Sequence, residues 1–187
     1  MATPTIIIGN EVFVGFAANR AKIEERLRQP LGEAVLPSPA QAGATAWEET
    51  DRLAKQILEK SKTIAIVGLS PNPERDSHEV ARYLQSQGYR IIPVNPQASE
   101  ILGERSYASL ADVPDPVDVV DIFRRPEHVP PIVEAAIAKG IPAIWMQLGV
   151  VNEEAAAQAR AAGLQVIMDR CMQVEHRRLL RPPSGQG

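Results

Sequence analysis

Cysteine is all but absent. Cys171 stands alone among 187 residues, which excludes an intrachain disulfide and any multi-cysteine metal centre. Histidine occurs only at His78, His128 and His176, far apart in the chain. No apolar run approaches the roughly 20 residues of a membrane span. The N-terminus lacks the basic region and long apolar core of a secretory signal. Charge of one sign is not in excess either. A formal net charge of −3 argues against a general nucleic-acid binder, which would carry a basic face. These absences make the cytoplasm the expected compartment, and exclude membrane and nucleic acid as expected partners.

Catalytic signatures are missing too. No Ser–His–Asp order with a nucleophile elbow occurs. His78 has no identifiable carboxylate partner. Asp118 and Asp121 are three apart on an expected strand, so they face opposite sides and do not pair.

What is present is a strand–loop–helix from Lys62 to Tyr89. Thr63-Ile64-Ala65-Ile66-Val67 is β-rich and apolar without strict alternation, as in a strand buried on both faces of a parallel sheet. Gly68 to Asp76 is a turn carrying Pro71, Asn72 and Pro73. Val80, Tyr83 and Leu84 then fall at helical spacing before Gly88, with Asp76 or Ser77 as the expected N-cap. Such a unit aims free backbone N–H groups and a helix dipole at one point, which suits a phosphate. Arg75 can add a bidentate contact.

The dinucleotide fingerprint does not fit. Gly68, Ser70 and Pro73 stand where Gly-x-Gly-x-x-Gly needs three glycines. The next strand, Arg90 to Val94, ends in Asn95-Pro96 rather than in the acid that holds a ribose. A nicotinamide dinucleotide is therefore a poor match, and another nucleotide is expected.

Downstream, strands and helices alternate. Val117–Phe123, Pro142–Met146 and Leu164–Met168 read as strands. Helices are expected from Pro126 to Lys139, from Asn152 to Ala162 and from Val174 to Leu180. Five strands in alternation with helices call for a doubly wound parallel sheet, α/β and Rossmann-like, whose ligands bind outside the carboxyl ends of the strands. Those ends collect Gly68–Arg75, Asn95-Pro96, Phe123-Arg124-Arg125, Gln147-Leu148-Gly149 and Asp169-Arg170-Cys171. Of the arginine pair, only one is expected to point into the crevice.

Upstream, Trp47–Lys60 is an amphipathic helix burying Leu53, Ile57 and either Trp47 or Leu58. Residues 29–45 are rich in Pro, Ala and Gly and read as a linker. Residues 1–28 form an expected appendage: a hairpin of Thr5–Ile8 and Glu11–Val14 around Gly9-Asn10, then a helix from Asn19 to Arg28. With Thr3-Pro4-Thr5, this appendage weakly resembles the closing half of a glutaredoxin-like domain, without its redox Cys-x-x-Cys. On that likeness it is a remnant, or the coding region starts further upstream. An unrelated hairpin and helix is the equal alternative. Residues 182–187 read as a tail.

Taken together, Ile64–Ser70, Ile92–Pro96, Val119–Arg124, Trp145–Val150 and Met168–Cys171 resemble the stand-alone CoA-binding proteins, similar to the N-terminal domain of the succinyl-CoA synthetase α subunit. The resemblance spans about Trp47 to Leu179, within an expected domain of residues 46–181. It implies coenzyme A, or an acyl-CoA, as the ligand, and no catalysis by this chain alone. By that likeness Gly68, Leu69, Ser70, Arg75 and Ser77 take the phosphates and the start of the pantetheine. Val94, Asn95, Pro96, Phe123 and Arg124 surround the adenosine, and Gln147, Leu148 and Gly149 line the pantetheine arm. Cys171 lies where the thiol would come. The likeness also marks a loss: related sequences often place Lys after the proline of the second-strand turn, and here Gln97 follows Pro96. The alternative function is an enzyme, either part of an acyl-CoA ligase or a nicotinamide-nucleotide oxidoreductase. The acyl group and any protein partner stay open.

Overall fold

The structure is a computed structural model that describes residues 5–8, 11–14 and 39–180. It divides into two units, Met1–Thr45 and Ala46–Gly187. In the first, β1 (Thr5–Ile8) pairs antiparallel with β2 (Glu11–Val14), with Ile8 opposite Glu11 across a two-residue connection. That is the expected hairpin. The helix expected from Asn19 to Arg28 lies outside the described residues, as do residues 182–187.

The helix leading to the sheet, α1 (Pro39–Lys60), starts earlier than Trp47 and runs back into the expected linker. Proline is tolerated in a first turn, and Ala40, Ala42, Ala44 and Ala46 are the best helix formers. Its buried face uses Ala54, Ile57 and Leu58, whereas Trp47 is 66% exposed. Of the two candidates for that face, Leu58 is the one buried.

Five parallel strands follow: β3 (Thr63–Val67), β4 (Arg90–Val94), β7 (Val119–Ile122), β8 (Ala143–Met146) and β9 (Gln165–Ile167). Their order across the sheet is β4-β3-β7-β8-β9. The register sets Ile66 beside Pro93 and Asp121, and Asp121 beside Trp145. Alternate residues feed two cores. Ile64, Ile66, Val119 and Trp145 pack with α1, α2 (Asp76–Ser86) and α5 (Met172–Leu180). Ala65, Val67, Val120, Ile144 and Met146 pack with α3 (Val129–Ala138) and α4 (Glu153–Ala161). Helices on both faces explain why these strands read as continuous apolar runs.

Between β4 and β7 the chain adds a small antiparallel pair, β5 (Glu100–Ile101) with β6 (Glu104–Arg105), and a 3-10 turn at Leu110–Asp112. These elements are too short to leave a periodic signature. A second 3-10 turn, Pro126–His128, precedes α3, so the expected single helix from Pro126 starts as a tighter turn.

Candidate ligand-binding site

β3 has β4 on one side and β7 on the other, so the chain reverses its direction of travel across the sheet there. A crevice opens at such a reversal, outside the carboxyl ends of the strands. The turns after β3 and β7 meet at Gly68 and Phe123. Gly68 has φ +93°, and a Cβ there would lie 2.3 Å from the carbonyl oxygen of Phe123. Both the backbone angle and the space demand glycine. The Gly68 N–H donates to the Val94 carbonyl at 2.9 Å, and the Phe123 N–H to the Val67 carbonyl at 2.9 Å.

The loop after Gly68 is held by its own side chains. The Ser70 N–H donates to Ser77 Oγ (3.1 Å), and the Asn72 N–H to Ser70 Oγ (3.1 Å). His78 Nδ1 meets the Ser70 carbonyl at 3.0 Å. Asn95 Nδ2 donates to the Leu69 carbonyl at 2.8 Å, while Asn95 Oδ1 accepts from the Gln97 N–H at 2.9 Å. Leu69 is fully buried in the core. Ser77 and Asn95 thus brace the loop, and Asn95 ties the turn after β4 to the turn after β3.

The N-cap of α2 is Arg75, with no side-chain cap bond, rather than Asp76 or Ser77. The Ser77 hydroxyl is drawn instead to the Ser70 N–H, which places Ser77 inside the helix. Asp76 and Glu79 sit in the first turn of α2. They complement the dipole and compete with any anion at that terminus.

Positive charge at the crevice comes from the end of β7. Arg124 lines two cavities. One, of about 420 Å³, has Val67, Val94, Leu110, Ile132 and His128 among its walls. The other, of about 600 Å³, takes in Phe123, Arg125, Gln147, Leu148, Gly149 and Cys171. The structure therefore gathers Phe123, Arg124, Gln147, Leu148, Gly149 and Cys171 around one space and adds Val94 on the far side of Arg124. Both arginines face the larger cavity, where one was expected. Arg125 is the exposed one, 4.0 Å from Glu127. Gly68, Leu69, Ser70, Ser77, Asn95 and Pro96 line neither cavity, and nor does the exposed Arg75.

Two features were missed. Asp121 is fully buried in β7, and Gln147 Nε2 donates to both its oxygens at 3.0 Å. Burial pushes its carboxyl up to about 8, against the opposing effect of the Gln147 hydrogen bond. Asp118, by contrast, accepts from the Lys62 and Thr63 N–H groups at the other end of the strand. A carboxylate inside an apolar strand run was the available signal. His128 is exposed, yet it lines the smaller cavity. Its place follows from the 3-10 turn, which sequence spacing did not show.

The segment after β9 holds a charged network. Arg170 donates to Asp51 Oδ1 at 2.6 Å, and Arg178 holds both Asp51 oxygens at 2.7 and 2.6 Å. The Arg178 guanidinium holds the Asp51 carboxyl down at about 2. Among the described residues no cluster of three or more His, Cys, Asp or Glu could hold a metal ion, and no helix is long and apolar enough to cross a membrane.

Comparison with known proteins agrees with this fold. The family model of the CoA binding domain matches residues 62–177. An uncharacterized protein of Bacillus subtilis, YneT, is 46% identical over 122 residues, 65% of this chain and 90% of that protein. A solved hypothetical protein from Pyrococcus horikoshii is 45% identical with a TM-score of 0.68, covering 70% of this chain and 92% of the other. The ADP-forming acetate–CoA ligase II of Archaeoglobus fulgidus is 33% identical over 82 residues, 43% of this chain but only 12% of that enzyme. The glutaredoxin-like reading of residues 1–28 finds no support in these matches. The chain is a member of the CoA-binding domain family, with a Rossmann-like five-stranded parallel sheet and a domain related to those of the acetate–CoA ligases.

Proposed function

We propose that the protein binds coenzyme A or an acyl-CoA across the carboxyl ends of β3, β7 and β8, without catalysis by this chain alone. The observation that carries this reading is Arg124, a cation set between two largely apolar cavities. CoA has that pattern, with an uncharged aromatic adenine at one end, phosphates in the middle and a neutral pantetheine arm at the other. The cavity under Val67, Val94 and His128 takes the adenosine, Arg124 takes phosphate charge, and Gln147–Gly149 lines the arm.

Gly68, Leu69, Ser70, Ser77, Asn95 and Pro96 act through the backbone shape of the loops rather than through side-chain contacts. Asn95 is a brace between two loops, not an acid for a ribose, which weighs against a nicotinamide dinucleotide. The binding domain is placed at residues 46–181. Mass spectrometry of small molecules released from the purified protein tests the reading. Recovery of CoA or its thioesters supports it, and recovery of a nicotinamide nucleotide instead opposes it. A second reading, a CoA-binding component of a two-chain acyl-CoA ligase, draws on the likeness to acetate–CoA ligase α subunits. It requires a partner chain that supplies the nucleotide chemistry.

A further inference from the structure

Among the described residues four large hydrophobic side chains stay exposed: Trp47, Leu148, Val151 and Val174. Trp47, Leu148 and Val174 gather at one place and wall a third cavity of about 400 Å³. This cavity continues the larger strand-end cavity, because Leu148, Cys171 and Val174 line both. Exposed apolar side chains concentrated at the mouth of a groove mark a binding surface.

The polar side of the cavity is closed upon itself. Arg170 is held by Asp51 at 2.6 Å and Glu175 at 3.4 Å, and its guanidinium lies 4.8 Å from the Trp47 ring centroid. Arg178 is held by the same two carboxylates. Asp169 Oδ1 accepts the Gly149 N–H at 2.7 Å. Each arginine therefore already faces two acids, and the remaining acid would repel a further anion.

We propose that this cavity receives the acyl group of an acyl-CoA, and that the group is an uncharged chain of a few carbons. The proposal rests on the CoA reading above. A pantetheine arm laid along Gln147–Gly149 brings its sulfur to Cys171, and whatever the sulfur carries passes between Leu148 and Val174 toward the face of Trp47. An aliphatic chain is removed from water there. A terminal carboxylate would lose its hydration without gaining a free cation.

Calorimetric titration of the full chain with CoA, butyryl-CoA and succinyl-CoA tests this, in the wild type and in Trp47→Ala and Trp47→Phe. Butyryl-CoA is expected to bind about tenfold tighter than CoA, and succinyl-CoA no tighter than CoA. Trp47→Ala should bring the butyryl-to-CoA ratio close to one while leaving CoA affinity within about twofold, and Trp47→Phe should keep most of the ratio. Equal binding of CoA and butyryl-CoA by the wild type overturns the acyl cavity alone. So does a ratio untouched by Trp47→Ala, or succinyl-CoA matching butyryl-CoA. Failure to bind any of the three overturns the CoA reading and this proposal together.

Discussion

The side-chain amide of Gln147 donates to both oxygens of the Asp121 carboxyl, at 3.0 Å each, and neither residue is more than 3% exposed. The contact joins the middle of β7 to the turn after β8, so the backbone that walls the larger cavity is anchored to a buried acid. Burial lifts the Asp121 carboxyl from 3.8 to about 8. The folded chain then holds this proton more tightly than the unfolded chain. Its contribution to stability is fully present below about pH 3.8 and is lost as pH rises through about 8.

Asp121→Asn should remove that dependence. Denaturant unfolding between pH 4 and pH 8 is expected to show a decline on the order of a few kcal/mol in the wild type that the variant lacks. Parallel pH profiles for the two proteins would show that the carboxyl does not titrate as described.

Gly68→Ala should be far more costly than Gly88→Ala. Both glycines have positive φ, but a Cβ on Gly88 meets nothing within 4 Å, whereas on Gly68 it meets the Phe123 carbonyl. Expected losses are roughly 1–2 kcal/mol for Gly88→Ala from backbone strain, and about 2–5 kcal/mol for Gly68→Ala, where a clash is added. Equal thermal shifts for the two variants would mean that the turn after β3 can move away from β7.

Arg124→Ala is expected to weaken CoA binding by roughly 1–3 kcal/mol, the range for a hydrogen bond to a charged group. Arg75→Ala should do less, since Arg75 is exposed and lines neither strand-end cavity. Titration with dephospho-CoA locates the contact: if Arg124 holds the 3′-phosphate, the loss on substitution shrinks. A larger effect at Arg75 than at Arg124 would move the phosphate site to the loop before α2.

Cys171 is half-buried and lines the cavity assigned to the pantetheine arm. As the chain's single thiol it reports on that cavity. Saturating CoA should slow alkylation of Cys171 several-fold, read by intact-protein mass spectrometry. An unchanged rate would place the ligand elsewhere.

The five core strands and the helices between them were legible because burial on both faces leaves long apolar runs that glycine and proline punctuate. The strand-end residues were legible for the same reason, since Phe123-Arg124 and Gln147–Gly149 follow directly on such runs. What those residues do was less legible. Ser77 and Asn95 look like ligand contacts, but their side chains complete backbone hydrogen bonds of the loop itself. The Asp121–Gln147 contact joins residues 26 apart, which no local pattern encodes. The network of Asp51 with Arg170 and Arg178 spans 119 and 127 residues, so it too exists only in the folded chain.

The most direct measurement is calorimetric titration of the same protein with CoA and with NAD. A crevice with Arg124 between two apolar cavities, and with Ser70 and Asn95 where a dinucleotide fold needs glycine and an acid, predicts saturable CoA binding and much weaker binding of NAD. Tighter binding of NAD than of CoA would contradict it.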